Sequence, residues 1–342
     1  KPKNTWIWTI YRVRILKTAE KTTYEYDKDK MKPIRIASRA SKLALAQADI
    51  VAKSLKKLSA SMEISLITIS TKGDRDKSDF LYKSESIGFF TSEVENAILS
   101  GKADLAVHSL KDLPTVCTPG LVVAAIPKRD SVADALIASG QVASIADLPA
   151  GATVGTSSLR RIAQLRHIRT DLICVPLRGN VETRINKVIS GQIDAAVMAC
   201  AGINRLGMTD KISEVLPPSE FIPAPGQGAL AVQIRADDNE LGELVSQLDD
   251  APSRITAETE RYVLAEMHGG CSIPLGVYSE IHDETITIYA MISDVKGEKY
   301  IRLSKTGFVD DAKTLAKILA EELFKAGAKK ILDEIRDMRS VD

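Results

Sequence analysis

A hydroxyl, an ammonium and a carboxylate fall within four residues in the stretch His108-Ser109-Leu110-Lys111-Asp112-Leu113-Pro114. The stretch follows the apolar run Asp104-Leu105-Ala106-Val107, and Pro114 disfavours helix at Leu113, so the pattern predicts a strand opening into a loop. In an open α/β sheet the carboxyl end of a strand is where ligands bind. Beside a cationic intermediate, the Asp112 carboxylate would stabilise charge and move protons. On a plain surface turn it would merely pair with Lys111. His108 and Ser109 do not read as a base and nucleophile, because adjacent strand residues point to opposite faces. No G-x-S-x-G elbow occurs either, and His108 is read as structural.

Arginine is concentrated further along. Residues 151–184 hold Arg160, Arg161, Arg166, Arg169, Arg178 and Arg184 against only Asp171 and Glu182. Gly155-Thr156-Ser157-Ser158 precedes a helical pattern, so its hydroxyls and the open N–H groups of the first turn suit an anion. Arg178-Gly179-Asn180 sits at a second strand end before another helix start. Guanidinium forks bind carboxylates and phosphates through paired hydrogen bonds. Arg166 and Arg169 read as solvated helix-face residues, and Arg160, Arg161, Arg178 and Arg184 as anion ligands. No GxxxxGK[ST] occurs, and no GxGxxG follows the first strand. Aromatic residues are 5% of the chain, a poor stacking platform for single-stranded nucleic acid. A polycarboxylate suits the arginines at least as well as a polyphosphate.

The cysteines are Cys117, Cys174, Cys200 and Cys271, the closest two 26 residues apart, so no CxxC pair exists. With only four histidines, no metal site is expected. Cys174 and Cys200 lie in apolar runs and read as buried and inert. Cys271 follows two glycines and precedes Pro274, which places it on a tight loop. Nearby cations would lower its pKa and make the thiol a useful nucleophile.

These residues need elements to position them. A chain of 342 residues implies two or three domains, and a net charge of +1 demands neither nucleic acid nor an anionic membrane. No apolar run approaches the ~18 residues of a membrane span. Residues 34–37 alternate like a strand, Ser41 is a candidate N-cap for a helix over 43–58, and residues 64–69 read as a second strand. Residues 71–88 form a charged loop, Ser92-Glu93-Val94-Glu95 fits a capping box, and residues 121–126 read as a strand. From about residue 130 the pattern restarts as a second α/β unit. Pro217, Pro218, Pro223 and Pro225 mark a crossing segment, and residues 228–234 return to strand. Beyond Pro252 come a helix, alternating strands near 285–291 and 299–308, and amphipathic helix broken near Gly327, an α+β unit. The division read from these breaks is an extension over 1–31, a first domain of 32–128 plus 228–247, a second of 129–227 and a third of 248–342. Residues 1–30 are basic and lack a signal-peptide core, since Arg12 and Arg14 interrupt the only apolar stretch. They read as a disordered extension.

Taken together, these stretches resemble the porphobilinogen deaminase (hydroxymethylbilane synthase) family of tetrapyrrole biosynthesis. The resemblance runs from about Ile34 to the C-terminus. It rests on seven ordered motifs: RIASRAS (35–41), DLAVHSLKDLP (104–114), GTSSLRR (155–161), LRGNVETR (177–184), AGINRLG (201–207), PAPGQGAL (223–230) and GGCSIPLG (269–276). It implies an α/β fold of two type II periplasmic-binding-protein-like domains plus a small C-terminal α+β domain. It also implies a transferase that joins four porphobilinogen units head to tail with loss of ammonia, then releases hydroxymethylbilane by hydrolysis. Cys271 would carry a dipyrromethane cofactor through a thioether, and Asp112 would be the catalytic carboxylate. Arg39, Ser41, Arg160, Arg161, Arg178 and Arg184 would hold substrate and cofactor carboxylates, with Ser109, Lys111, Thr156, Ser157 and Ser158 assisting. Lys83 matches a loop lysine of the family, while Arg205 and Gln227 match positions near the same cleft. One departure stands out: many members carry a lysine where this chain has Ile87. The implied setting is a cytoplasmic monomer with a small-molecule substrate and no nucleic acid or membrane, targeting by residues 1–30 being left open. A two-lobed solute-binding protein would account for the lobes and the arginines, but not for Cys271.

Overall fold

The structure is a computed structural model that describes residues 32–71, 91–140, 142–267 and 273–340. The chain opens with β1 (Ile34–Arg39), α1 (Lys42–Leu58) and β2 (Ile64–Ile69). The two strands run parallel in register from Ile34↔Ile64 to Arg39↔Ile69. Ser41 caps α1 as expected, its hydroxyl accepting from the Ala44 N–H at 3.3 Å. The apolar stripe of α1, with Ala48, Val51 and Leu55, packs on the sheet.

After α2 (Ser92–Leu99) come β3 (Leu105–Ser109) and β4 (Leu121–Ala125). The predicted capping box does not form. Thr91 occupies the cap position without a side-chain bond. Glu95 turns inward, accepting from Thr118 Oγ1 at 3.0 Å and Gln233 Nε2 at 2.9 Å. A buried carboxylate needs such donors, and that demand outweighs the exposed cap.

The second lobe runs through β5 (Asp134–Ala138), β6 (Thr153–Gly155), α3 (Leu159–Ile168), β7 (Ile173–Val175) and α4 (Val181–Ile189). It continues with β8 (Ala195–Ala199), α5 (Cys200–Arg205) and β9 (Glu214–Leu216). The chain then returns to the first lobe through β10 (Leu230–Arg235) and α6 (Asn239–Ser246). The sheet orders are β2-β1-β3-β10-β4 and β7-β6-β8-β5-β9, which are one and the same pattern. In each, three strands are parallel, and the strand arriving from the other lobe runs antiparallel between the third and the fourth. This is the arrangement of two type II periplasmic-binding-protein-like domains. The central strands read as continuous apolar runs because both faces are covered. In β8, Ala195 and Val197 enter one core cluster, Ala196 and Met198 another.

Register then places the crossing segments. Leu230 pairs with Ser109, and Asp134 pairs with Ala199, so each arriving strand starts at the carboxyl end of its neighbour. Both segments therefore pass along the ligand edge of the sheets. They touch at Gly228, whose φ is +86° and where a Cβ would stand 2.6 Å from the Asp130 and Ser131 carbonyl oxygens. Only glycine allows that approach.

A third unit follows: α7 (Ala251–Glu266), β11 (Leu275–His282), β12 (Thr285–Ser293), β13 (Tyr300–Phe308), α8 (Ala312–Lys325) and α9 (Ala328–Ser340). Its strands form an antiparallel β11-β12-β13 sheet. Alternate residues Ile286, Ile288, Ala290 and Ile292 bury against Val263, Ala316, Leu319 and Leu323. A buried ion pair, Arg129 Nη2 to Glu260 Oε2 at 2.7 Å, fastens α7 to the crossing region. Among the described residues no helix is long and apolar enough to cross a membrane.

Candidate active site

The stretch 108–114 lies where the sequence placed it. β3 ends at Ser109 and passes into a 3-10 turn, Leu110–Asp112, that leaves Asp112 exposed. The Ser109 hydroxyl accepts from Gln47 Nε2 at 2.9 Å, and Lys111 Nζ donates to Gln227 Oε1 at 3.2 Å. Loss of water pushes the Lys111 ammonium down to about 8; Asp112 and Asp134 oppose that shift, while Arg161 and Arg160 add to it. His108 is buried, as a structural residue should be. Burial, opposed by Gln233 and reinforced by Arg39, takes its imidazole down to about 4. The turn is gripped from the third unit: Arg261 of α7 donates through Nη1 to the carbonyls of Leu110 (3.0 Å) and Leu113 (2.9 Å), and through Nη2 to that of Pro114 (2.5 Å).

Across the cleft, β6 leads into Gly155-Thr156-Ser157-Ser158 and the start of α3. Thr156 Oγ1 accepts from Ser158 N at 3.3 Å. The Ser157 hydroxyl staples Leu177, donating to its carbonyl and accepting from its N–H, both at 3.1 Å. Ser158 takes the cap position but makes no side-chain bond to the first turn of α3, which suits an anion there. Arg160 and Arg161 are 4% and 8% exposed. Both meet the buried Asp134, Arg161 Nη2 at 2.7 Å from Oδ1 and Arg160 Nη2 at 2.8 Å from Oδ2. Two guanidiniums thus share one carboxylate, and the Nε of each is buried without a partner. Surplus positive charge with open N–H donors is a carboxylate-binding arrangement. Arg184 stands close to Arg161 and Arg178; burial and those two cations take it down to about 10.

Several expected residues do other work. The start of α4 is closed by its own Asn180, whose Oδ1 accepts from Thr183 N and Oγ1, each at 2.8 Å, so it is no open anion site. Gln227 is wholly buried, behind the wall rather than on it. Arg205 ties the crossing segments together, with Nε 3.5 Å from Asp130 Oδ2 and Nη2 donating to the Gly228 carbonyl at 2.5 Å. Arg166 and Arg169 are not simply solvated. Arg166 Nη1 donates to the Val295 carbonyl at 3.0 Å, and Arg169 makes a paired contact with Asp171 at 2.7 and 2.6 Å. Arg39 and Arg178 are half-buried, and Ser41 is committed to its cap. Cys200 is buried as expected, while Cys174 is half-buried; desolvation raises both thiols. Lys83, Ile87 and Cys271, most of the 71–88 loop, and residues 1–31 lie outside the described residues. Sequence reasoning missed Asp134, Asp130 and Arg261. A lone carboxylate heading the apolar run DALIA was the available signal for Asp134.

The family description "Porphobilinogen deaminase, dipyromethane cofactor binding domain" matches residues 34–243, and "Porphobilinogen deaminase, C-terminal domain" matches residues 254–325. The chain belongs to the porphobilinogen deaminase family. A porphobilinogen deaminase of Maridesulfovibrio salexigens is 42% identical over 307 residues, 90% of this chain and 99% of that protein. One of Synechococcus elongatus is 41% identical over 306 residues, 89% and 96% of the two chains. The aliphatic sulphonate binding protein SsuA from Escherichia coli aligns with TM-score 0.38 and 14% identity, over 70% of this chain and 71% of that one. The fold class rests on the strand order rather than on that likeness. Membership in the porphobilinogen deaminase family carries the activity its motifs implied: a transferase of tetrapyrrole biosynthesis that uses a dipyrromethane cofactor. Two lobes alone would serve a solute-binding protein equally well; the family match decides between the two.

Proposed function

We propose that porphobilinogen is condensed where β3 ends opposite the start of α3, with Asp112 as the catalytic carboxylate and Cys271 as the cofactor tether. The observation that carries this reading is the pair of buried guanidiniums, Arg160 and Arg161, which share one carboxylate and whose Nε atoms have no partner, close to a turn bearing Lys111 and Asp112. Porphobilinogen presents an acetate and a propionate, so each added unit brings carboxylates that need such donors. The dipyrromethane has the same carboxylates and suits the same surplus of positive charge; when bound, it would supply the pyrrole carbon to which the first unit is joined. Arg39, Arg178 and Arg184 extend the cationic surface, with Ser41, Lys83, Ser109, Thr156, Ser157 and Ser158 in support. Arg205 and Gln227 act from behind it. Asp112 stabilises the cation left when substrate loses ammonia and takes up protons as bonds form.

In the same reading the chain divides into 32–128 plus 228–247, 129–227 and 248–342. It works as a cytoplasmic monomer without nucleic acid, in keeping with its net charge of +1. Intact mass spectrometry of the protein from a host that makes porphobilinogen tests the tether. The wild-type chain should be heavier than its polypeptide by one dipyrromethane, and Cys271→Ser should run at polypeptide mass. An added dipyrromethane on Cys271→Ser would overturn the assignment.

A further inference from the structure

Asp134 stands at the first position of β5, wholly buried, where the strand arriving from the first lobe meets Ala199 at the end of β8. Its carboxylate serves three side chains. Oδ1 accepts from Arg161 Nη2 at 2.7 Å and from Gln227 Nε2 at 2.8 Å, and Oδ2 is ion-paired with Arg160 Nη2 at 2.8 Å. Gln227 passes the linkage on, because its Oε1 accepts from Lys111 Nζ at 3.2 Å. The orientation of that amide is settled by its other end: Nε2 also faces the carbonyls of Val132 at 2.8 Å and Ala133 at 3.3 Å, where only a donor fits. An amide from one crossing segment thus joins a carboxylate of the second lobe to an ammonium of the first.

Arg160 and Arg161 are each held by one further backbone carbonyl, Ile222 at 2.8 Å and Val197 at 3.2 Å. Every hydrogen bond fixing these guanidiniums falls on their Nη atoms, and the Nε of each is buried without a partner. A buried structural ion pair needs one arginine per carboxylate. Two cations sharing one anion are costly in a low-dielectric interior unless a second anion arrives. Asp134 therefore sets both the geometry and the charge deficit of this wall.

We propose that Asp134 is a positioning residue for the reaction, holding Arg160, Arg161 and, through Gln227, Lys111 as one linked unit across the two lobes. The proposal rests on the reading of the cleft given above. Lys111 faces two carboxylates, Asp112 and Asp134, and two guanidiniums, Arg160 and Arg161. Removing the Asp134 charge leaves Lys111 with one carboxylate against two cations. Its ammonium then loses its proton more readily, and the guanidiniums are free to separate.

The test uses the holoenzyme, with Asp134→Asn as the main variant and Gln227→Met as the second. Two quantities are read: the split between kcat and KM, and the pH midpoint of Lys111 acylation by an amine-specific reagent, followed by peptide mass spectrometry. Asp134→Asn should raise KM about tenfold or more, with a smaller change in kcat, as loss of ground-state carboxylate binding requires. It should also move the Lys111 midpoint below the wild-type value. Gln227→Met keeps the Asp134–arginine pairs but removes one acceptor of Lys111, so it too should lower the midpoint. A folded Asp134→Asn enzyme with wild-type KM and midpoint overturns the proposal. Should that variant not fold, an unshifted midpoint in Gln227→Met overturns it. A purely structural Asp134 would cost stability alone and leave the KM of folded protein unchanged. Because labelling needs no turnover, a wild-type protein inactive toward porphobilinogen would count against the reading of the cleft and leave the linkage to be judged by the midpoints.

Discussion

His108 and Asp112 stand four positions apart on one strand end and have opposite fates. The imidazole is 7% exposed, on the face of the sheet that α2 covers. Gln233 gives its Nε2 to Glu95, and neither its Oε1 nor the His108 Nε2 has a hydrogen-bond partner. A histidine whose folded pKa is depressed stabilises the fold only while unprotonated. That stability is complete above the unfolded pKa and drains away as pH falls from about 6.5 toward 4. At about 1.4 kcal/mol per unit, the effect reaches about 2–3 kcal/mol at pH 4.5. Urea unfolding at pH 7 and pH 4.5 should show His108→Asn losing that much less stability on acidification than wild type; equal losses would refute it. Asp112 is exposed, so Asp112→Ala should keep the wild-type urea midpoint and lose nearly all turnover. Turnover near wild type in that variant would remove Asp112 from the chemistry.

At the level of elements, what was legible in the sequence is what local pattern encodes. Apolar runs such as AAVMA in β8 announce strands covered on both faces, and Ser41 before a helical stripe announces the start of α1. The turn after β3 was readable because Pro114 constrains its neighbour. The illegible parts depend on partners distant along the chain. Asp134 meets Arg161 across 27 positions and Gln227 across 93, and no periodicity carries such pairings. Glu95 satisfied a capping pattern on paper, yet Thr118 and Gln233 draw it inward. Arg166 and Arg169 read as solvated because local pattern cannot show the distant carbonyls of Val295 and Leu148 that engage them. Strand β11 carries no legible alternation in the sequence. Gly276 and Ser279 interrupt its apolar run, and both are explained only by tertiary contacts: a Cβ on Gly276 would stand 2.6 Å from the Ile222 carbonyl, and the Ser279 N–H donates to Glu260 at 3.0 Å.

For the whole molecule, Glu260 is the fastening point. With no exposed side-chain surface, it pairs with Arg129 and also accepts from Gly226 N at 2.7 Å and Ser279 N at 3.0 Å. It thereby joins both crossing segments to the third unit, whose Arg261 grips the turn that carries Asp112. Glu260→Gln strands the Arg129 guanidinium without its counter-charge and should cost about 3–5 kcal/mol, the usual penalty for breaking a buried pair. Thermal or urea unfolding measures it, and a loss under about 1 kcal/mol would show that water or another group takes over the pairing.

The interleaved strand order also dictates when each lobe is finished. β5 through β9 are contiguous, so the second sheet has all its strands once Leu216 has been made. The first sheet still lacks β10, which must slot between β3 and β4 and ends at Arg235. As the chain leaves the ribosome, the lobe begun first is the one completed last. Until then β3, with Ser109 at its tip, waits with one edge unpaired, and the reactive turn is among the last features of the cleft to acquire its neighbours.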